Sequence, residues 1–519
     1  MSRLARSSAV FSAMTLLSRV AGLVRDWLQA ISFGAGPAVS AFVVAYRIPN
    51  YLRRIFAEGS FASAFVPVLS ALREQGDPKA VQDFLDHVAG ALLAAVVVTT
   101  ALGWLAAPWI ARGFLALAHG EDAIPVALTA EMLRITFPYL VFISMAALAG
   151  GVLNSFRHFG LPAFAPVLHN LSVVLAILLA ARWFDVPEKA LAWGVCAAGL
   201  LQVLLLWPAL ARLGLRPRLR LALGHPGVRK VFRLMLPTLF SSSVAQFNLL
   251  VGTMAASLLV ASAQSWLYYS DRLVELPLGL FGVAIGTVIL PHLSGRHARA
   301  DAPGYAASLD WGLRVVLLVA LPAAVGLAVL ARPICATLFN YGAFDAWDAT
   351  MTAAAVRAMS IGVPGFMLSK VLLAGFFSRQ DTVTPMRAAI ATVALNVGLI
   401  VALVWPLWRS GHEAAHAGIA LATALAGLAN AGLLARALRR QGLLRASPGW
   451  VAYLLRLLVA VAAMALVAGW VQGQAGDFAR LPASARVGWL ALAIAAGAAT
   501  YAAALLALGL RPRHLREPR

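Results

Sequence analysis

The stretch AVFSAMTLLSRVAGLVRDWLQAISF, residues 9–33, is long and apolar enough to cross a lipid bilayer, yet it carries Arg19 and Arg25. A bilayer core of about 30 Å needs about 20 residues of helix. A charged side chain at that depth costs about 2.5–3.5 kcal/mol even on lenient insertion scales. The stretch therefore predicts a membrane helix whose arginines face something that stabilises them, and an anion is the simplest candidate.

Composition extends the membrane interpretation to the whole chain. Of the 519 residues, 61% are hydrophobic and 12% are charged, whereas soluble domains carry about 25% charged residues. We expect an all-α polytopic membrane protein with fourteen transmembrane helices, because apolar windows of about 20 residues can be placed that many times. These windows cover approximately residues 8–32, 38–71 (long and broken), 85–111, 126–155, 163–183, 189–211, 230–262, 266–294, 311–331, 347–377, 385–408, 415–438, 449–472 and 486–510.

The connections between these windows differ strongly in basic charge. With the N-terminus inside, the cytoplasmic connections hold 24 Lys and Arg and the opposite ones hold 7. By the positive-inside rule we expect a multi-pass protein of the bacterial inner membrane with both termini cytoplasmic. The net charge of +21 then largely reflects topology, and we expect no nucleic-acid partner. The basic run Arg212–Arg233 is interpreted as a topology anchor, with binding of anionic lipid headgroups as the alternative.

Several functional classes lack their motifs. An ATP-driven pump requires a G-x-x-x-x-G-K-[ST] phosphate loop, and a transferase acting on polyprenyl pyrophosphates requires paired aspartates for Mg²⁺; neither pattern occurs in the sequence. Cys196 and Cys335 lie far apart, without metal-ligand spacing, and are interpreted as packing residues. We expect no enzymatic activity, no metal site and no cofactor.

The chain repeats itself at an offset of about 224–226 residues. FVPVLS (65–70) corresponds to ILPHLS (289–294), Pro138 to Pro364, and Asn170 to Asn396. The repeat predicts an N-lobe of helices one to six in residues 1–222, a C-lobe of helices seven to twelve in residues 223–440, and helices thirteen and fourteen with a cytoplasmic tail in residues 441–519. Parallel lobes related by pseudo-twofold symmetry are typical of carriers that work by alternating access.

Helix one carries a polar face inside its apolar run. Arg19 and Asp26 are spaced to lie on one side of a helix, and Ser18 and Arg25 form the neighbouring stripe. Arg19 lies too deep for its side chain to reach the surface, whereas Arg25 is close enough to the outer end to do so. Arg19 is therefore interpreted as lining a cavity, with a structural ion pair to Asp26 as the alternative.

Helix two carries a stripe of polar residues that comprises Arg47, Asn50, Arg54 and Glu58, with Arg53 beside it. Pro49 removes a backbone hydrogen bond and is expected to bend the segment. Broken helices at membrane depth occur where they line a cavity or pack within protein. The pattern predicts a site, although Arg54 and Glu58 are also spaced as an i, i+4 ion pair.

Helix eight is the counterpart of helix two in the second half of the repeat. It places Ser265 and Arg272 on one stripe, and Asp271 and Glu275 are spaced for pairing at i, i+4. Both halves of the repeat are therefore expected to contribute charge to one central space.

These residues lie in long stretches that resemble a known family, the MurJ (MviN) lipid II flippases of the multidrug/oligosaccharidyl-lipid/polysaccharide exporter superfamily. The matching stretches are SRVAGLVRD (18–26), FGAG (33–36), IPNYLRRIFAEGSFASAFVP (48–67), FPYLVFISMAALAGGVLN (137–154), PAFAPVLHN (162–170), SWLYYSDRLVELPLGLFGVAIGTVILP (265–291) and FFSRQD (376–381). The resemblance is gapless within each stretch and spread over essentially the whole chain.

The resemblance implies a fourteen-helix carrier that moves undecaprenyl-pyrophosphoryl-MurNAc-pentapeptide-GlcNAc, lipid II, from the cytoplasmic to the periplasmic leaflet for peptidoglycan biosynthesis. It implies substrate-binding roles for Arg19, Arg25, Arg53 and Arg272, and cavity or gate roles for Ser18, Asp26, Glu58 and Ser265. It favours Arg53 over Arg54, the residue that helical periodicity favours. Membrane lipids and the cell-wall synthesis machinery are the implied partners.

One position departs from the family pattern. Many relatives read Thr-Asp where this chain has Val39 and Ser40. A carboxylate contact at the outer gate is therefore absent or replaced here.

The implied substrate agrees with the physical interpretation of the arginines. A pyrophosphate is a compact anion suited to bidentate guanidinium contacts, and moving about two negative charges outward releases about 4–5 kcal/mol at 100 mV. The alternative is another exporter of the superfamily, for a drug or a different lipid-linked oligosaccharide. Exporters of cationic drugs are expected to carry cavity carboxylates without this excess of arginine. Helices thirteen and fourteen are expected to offer a groove for the polyprenyl tail.

Overall fold

A computed structural model of the chain describes residues 3–57, 60–118, 123–222, 224–444 and 447–510. Among these residues, the side chains at 3–12, 60, 237–246 and 280–288 are not described. The described residues form eighteen α-helices and no β-strand, which confirms the predicted all-α class. They cluster into two compact units, residues 1–265 and 266–519.

Unit 1 contains nine complete helices. They are α1 (Arg3–Phe33), α2 (Pro37–Phe56), α3 (Ser60–Glu74), α4 (Pro78–Phe114), α5 (Val126–Thr136), α6 (Tyr139–Ser155), α7 (Gly160–Leu175), α8 (Lys189–Arg212) and α9 (Pro226–Ser257). α7 continues through a π turn at Ala176–Ala180 and a 3-10 turn at Ala181–Trp183. α6 packs against α4 and α8, and α7 packs against α1 and α8. The core includes the fully buried Phe65 and Phe84, whose rings stack with centroids 5.7 Å apart.

The linker between α8 and α9 lies along α4. The Arg218 backbone N–H donates to the Asp86 carboxylate at 2.8 Å, and the Arg220 N–H donates to the Asp86 carbonyl at 3.1 Å. A Cβ on Gly90 would lie 2.2 Å from the Arg220 carbonyl oxygen, so only glycine permits this approach. The backbone of the basic run is therefore fastened to α4, and its interpretation as a topology anchor stays a prediction.

Unit 2 begins within α10 (Ala263–Ala298) and ends with two antiparallel helices. It contains α11 (Ala302–Val329), α12 (Ala331–Leu338), α13 (Ala346–Ser360), α14 (Val363–Phe377), α15 (Val383–Arg409), α16 (His416–Arg440), α17 (Trp450–Gln474) and α18 (Ala483–Ala507). α17 packs against α18 and α11. Asp310 of α11 fixes this arrangement, because it accepts hydrogen bonds from Arg314, Ser447 and the Trp450 indole.

The outer surface of the helices is apolar, as expected of a protein in lipid. Leu102 and Leu466 are 62% and 75% exposed. Ten helical segments within the described residues are long and apolar enough to span a membrane, and eleven when the bent pair α13 and α14 counts as one. These segments confirm that the chain is a polytopic membrane protein. The predicted number of transmembrane helices, fourteen, is larger than the ten or eleven segments found among the described residues.

The structure divides several predicted windows. The window 126–155 contains the break between α5 and α6 at Phe137 and Pro138, and the window 347–377 contains a bend of 43° between α13 and α14. The first break includes Pro138, and the second lies two residues before Pro364, the proline that the repeat pairs with it. The window 38–71 comprises α2 and α3, and α12 was not predicted.

The compact units divide at a different point from the predicted lobes. The repeat predicts a boundary between residues 222 and 223, whereas the units divide after Ser265. The difference arises because α9 packs against α2, α3 and α4. The lobe boundary between residues 222 and 223 is defined by the sequence repeat and not by contacts, so it stays a prediction.

Candidate functional site

Arg25 makes three hydrogen bonds to two residues of unit 1. Its Nε and Nη2 atoms donate to Asp26 Oδ1 at 3.0 and 2.6 Å, and its Nη1 donates to Asn170 Oδ1 of α7 at 3.0 Å. Asn170 in turn donates to the Ser18 carbonyl at 3.0 Å. The Arg25 side chain is 14% exposed. Arg25 therefore points into the unit, where its charge is partly removed from solvent, rather than toward the end of the helix.

Asn170 is the residue that the sequence interpretation missed at this position. It is buried, and its amide joins α7 to α1 through both its oxygen and its nitrogen. Sequence offered a signal, because Asn170 is one of the residues paired by the repeat. A buried amide with both ends hydrogen-bonded fixes the orientation of its partners.

Asp26 is engaged by Arg25, and its side chain is 5% exposed. Arg19 lies seven residues, nearly two helical turns, away on α1 and is half-buried, as is Ser18. The Asp26 carboxylate therefore pairs with the neighbouring Arg25 guanidinium. The alternative interpretation, an ion pair between Asp26 and Arg19, stays a prediction.

Pro49 shapes α2 where its arginines lie. Because proline has no N–H, the Ala45 carbonyl lacks its usual helical donor, and the Thr136 hydroxyl of α5 donates to it at 3.5 Å. One turn later, Arg53 Nε donates to Asn50 Oδ1 at 3.0 Å. Arg53 is half-buried and Arg54 is exposed, and the choice between them stays a prediction. Glu58 lies outside the described residues.

His169 of α7 lies beside aromatic residues of α2 and α6. Its ring lies between Tyr46 and Tyr139, at centroid distances of 6.5 and 5.8 Å. Its Nδ1 atom is buried without a hydrogen-bond partner among the described residues. His169 therefore lies in an aromatic neighbourhood, and the next residue along the chain, Asn170, is the hydrogen-bond partner of Arg25.

A second polar cluster joins α2 to the end of unit 1. The hydroxyl oxygens of Ser40 and Ser265 lie 2.8 Å apart, and both residues are fully buried. Arg47 donates to the Thr253 hydroxyl, and Gln264 donates to the Thr253 carbonyl. The carboxylate expected from the family pattern is thus replaced by a pair of hydroxyl groups.

Arg272 belongs to unit 2 and has its own surroundings. Its Nη1 donates to Glu275 Oε2 at 2.8 Å, and its guanidinium lies 5.0 Å from the centroid of the Tyr268 ring. The predicted pairing of Asp271 with Glu275 is wrong, because two carboxylates repel each other and Glu275 pairs with Arg272. The Arg272 side chain is 35% exposed.

One cluster outside these sites has the composition of a metal centre. Potential ligand atoms of Asp83, His87 and His225 lie within 4.8 Å of one another. The two imidazole rings, however, stack in parallel with centroids 4.4 Å apart. A bound metal lies in the plane of each imidazole that ligates it, so parallel rings do not converge on one ion. His225 also accepts from the Gly227 N–H at 3.2 Å and contacts Asp83 at 3.0 Å, which ties α4 to α9.

Comparison with known proteins places these features in a family. A family model described as "Lipid II flippase MurJ" matches residues 29–477. The lipid II flippase MurJ of Burkholderia cenocepacia is 42% identical over 90% of this chain and 89% of its own. The probable lipid II flippase MurJ of Haemophilus influenzae is 40% identical over 97% of this chain and 99% of its own.

Solved structures show the same fold. A lipid II flippase MurJ in an inward closed conformation has a TM-score of 0.79 at 24% identity, and the match covers 96% of this chain and 98% of that one. An inward-facing multidrug resistance MATE family transporter of the MOP superfamily has a TM-score of 0.68 at 14% identity, covering 84% and 98%. Since the family model matches most of the sequence and the curated relatives align over nearly all of it, the chain belongs to the lipid II flippase MurJ family.

Proposed function

We propose that this protein translocates lipid II from the cytoplasmic to the periplasmic leaflet by alternating access, for peptidoglycan biosynthesis, and that it catalyses no chemical step. The observation that carries the proposal is that Arg25, hydrogen-bonded to Asp26 and Asn170, and Arg53, hydrogen-bonded to Asn50, are both held in place and half-buried within unit 1. Guanidinium groups that are partly removed from water and held in place bind a pyrophosphate well, because a planar donor fork matches phosphate oxygens.

Arg19 and Arg272 are proposed as further substrate-binding residues. Arg19 shares α1 with Arg25 and is half-buried. Arg272 is supported by its stacking on Tyr268, which fixes the plane of its guanidinium while leaving the charge half-exposed. Ser18, Asp26, Arg47, Asn50, Arg54, Glu58, Ser265, Asp271 and Glu275 are proposed to line the cavity or its gates.

The proposed topology has fourteen transmembrane helices. Three helices beyond the eleven apolar segments, α1, α9 and α10, have 31, 32 and 36 residues, which exceeds the length needed to cross a bilayer. α1 and α10 carry the arginines of the site, which lowers their mean hydropathy. Residues 1–222, 223–440 and 441–519 are the proposed N-lobe, C-lobe and C-terminal pair, with both termini cytoplasmic in the inner membrane.

Cysteine labelling tests this orientation. In a chain whose Cys196 and Cys335 are replaced by alanine, Gln75→Cys and Ser410→Cys are expected to react with a membrane-impermeant maleimide from opposite sides. Reaction of both from the periplasmic side of intact cells would contradict the topology.

Complementation with a transport assay tests the function. Cells depleted of their own flippase are expected to accumulate lipid II on the cytoplasmic face, and the wild-type chain is expected to reverse this. Arg25→Ala and Arg53→Ala are expected to fail although they reach the membrane. Arg480→Ala provides the matched control, because the Arg480 side chain is 89% exposed. If both Arg25→Ala and Arg53→Ala fully rescued the cells, these arginines would not be required for transport, and the site assignment would be wrong.

The same assay separates the proposed substrate from other cargo of the superfamily. If the wild-type chain exported a cationic drug and left lipid II on the cytoplasmic face, the alternative exporter function would replace this one. The engagement of Asp26 by Arg25 argues against a cation site at this position, because the carboxylate is already neutralised.

A further inference from the structure

Two adjoining cavities lie at the end of unit 1 where α4 ends and α8 begins. One has a volume of about 460 Å³ and is lined by parts of α4, α5, α8 and the turn after α7; the other has a volume of about 510 Å³ and lies between α4 and α5. Glu131 and Arg134 of α5 line both cavities. The two therefore form one continuous depression, here termed the α5 groove, and none of the proposed transport residues lines it.

Exposed tryptophans surround the α5 groove. Trp104, Trp183 and Trp193 line it and are 44%, 72% and 49% exposed. Tryptophan is enriched where a membrane protein meets the headgroup region, because its ring is apolar and its N–H is polar. The groove thus has the composition of a surface at headgroup depth. Beside it, Leu102 and Leu105 of α4 are 62% and 58% exposed and offer an apolar surface for acyl chains.

The charges in the α5 groove favour an anion. Lys189 and Glu131 neutralise each other, with Nζ and Oε1 2.7 Å apart. Arg112, Arg134 and Asp185 also line the groove, which leaves one positive charge in excess. The Arg134 guanidinium lies 5.0 Å from the centroid of the Trp104 ring. Its Nε also donates to the Trp104 carbonyl oxygen at 3.4 Å. These two contacts hold the guanidinium in place, and its Nη groups can donate to phosphate oxygens.

We propose that the α5 groove binds the headgroup of a glycerophospholipid, with the phosphodiester on Arg134 and Arg112. The tryptophans then lie against the glycerol region, and the acyl chains follow the exposed leucines of α4. The combined volume matches a small-molecule site, and the excess positive charge matches one phosphodiester. This is a lipid site separate from the proposed transport site.

Lipid binding by the purified full-length protein tests the proposal. Native mass spectrometry in detergent would compare phosphatidylglycerol with diacylglycerol of the same chains, which differs by the absence of the phosphodiester. The wild type is expected to retain phosphatidylglycerol and not diacylglycerol. Arg134→Gln is expected to weaken phosphatidylglycerol binding by about tenfold or more, since hydrogen bonds to charged groups contribute that much.

Arg182→Gln is the matched control, because Arg182 also stacks on a tryptophan, with its guanidinium 5.9 Å from the Trp183 centroid, but does not line the groove. It is expected to bind phosphatidylglycerol as the wild type does. Arg134→Lys, which keeps the charge and loses the planar donor edge, is expected to show an intermediate loss and serves if Arg134→Gln fails to fold. Equal retention of both lipids, wild-type affinity in both Arg134 variants, or displacement by inorganic phosphate at the same concentration as the lipid would overturn the proposal.

Discussion

The hydroxyl oxygens of Ser40 and Ser265 lie 2.8 Å apart and join α2 to the first turn of α10 in a fully buried position. Each hydroxyl satisfies the other, so removing one leaves its partner buried without that hydrogen bond. A pair of neutral groups holds this contact, whereas the family pattern predicts a carboxylate at position 40. The contact is therefore expected to be independent of pH in the physiological range.

Ser40→Ala and Ser265→Ala are each expected to lower the free energy of unfolding by about 1–3 kcal/mol, because an unsatisfied buried hydroxyl costs that amount. The double variant is expected to cost less than the sum, since it leaves no orphaned hydroxyl. Denaturant titration in detergent measures the three values. Strict additivity would show that the two hydroxyls do not interact.

Asn170→Ala is expected to lower the transport rate by about tenfold, because it removes the hydrogen bond that orients the Arg25 guanidinium. Lipid II translocation in proteoliposomes measures the effect. Asn430→Ala is the control: Asn430 donates to Ser369 within unit 2 at 3.2 Å and contacts no proposed substrate-binding arginine. Equal losses in the two variants would indicate a general packing effect.

Arg486→Ala is expected to destabilise the protein by about 3 kcal/mol, because four buried or half-buried carbonyl groups lose their donor. Arg486 donates to the carbonyl oxygens of Ala336, Asn340, Ala479 and Leu481 at 2.7–3.0 Å. Thermal unfolding monitored by circular dichroism measures the change. Arg480→Ala, at an exposed position, is expected to stay within about 0.5 kcal/mol of wild type; a similar loss there would contradict the assignment.

Asp301 makes stability depend on pH at the start of α11. The hydrogen bond from the Gly304 N–H, together with that from Arg296, holds the pKa of the Asp301 carboxyl below its usual value. A carboxyl whose folded pKa is lowered stabilises the fold above its unfolded pKa, and this contribution is lost as pH falls through the folded pKa.

Asp301→Asn is therefore expected to melt at a lower temperature than wild type at about pH 7, and the difference is expected to shrink below about pH 4. Asparagine keeps the capping oxygen, so the substitution isolates the charge. Glu413→Gln, in an exposed loop, is expected to show little difference at either pH. A constant difference for Asp301→Asn at all pH values would contradict the electrostatic origin.

The helical membrane fold was predictable because hydrocarbon leaves the backbone few alternatives to a helix. For example, the window predicted at 415–438 corresponds to the helix His416–Arg440, and its ends differ from the observed ends by less than one helical turn. The sequence ARPICATL of α12 was missed, because eight residues with an arginine and a proline produce no apolar window. The break at Pro138 was missed because a hydrophobic window does not record a change of direction.

The site was predictable where neighbours along one helix define it. Arg25 and Asp26 were identified from periodicity on α1, and their contact is local. Asn170 and His169 were not identified, because they reach this position only when α7 packs on α1; the hydrogen bond between Arg25 and Asn170 joins residues 145 positions apart. A contact between residues so far apart in the sequence produces no periodic pattern from which it could be predicted.

The segment of residues 213–222 is hydrogen-bonded to Asp86 of α4 and packs closely on Gly90. This attachment gives the arginines of the segment a structural role in addition to their proposed role in topology. In the proposed topology these arginines keep the segment on the cytoplasmic side during insertion. After folding, their backbone becomes part of the wall of unit 1. The connection 213–225 between α8 and α9 is thus a poor position for an inserted tag or a protease site, although it is long.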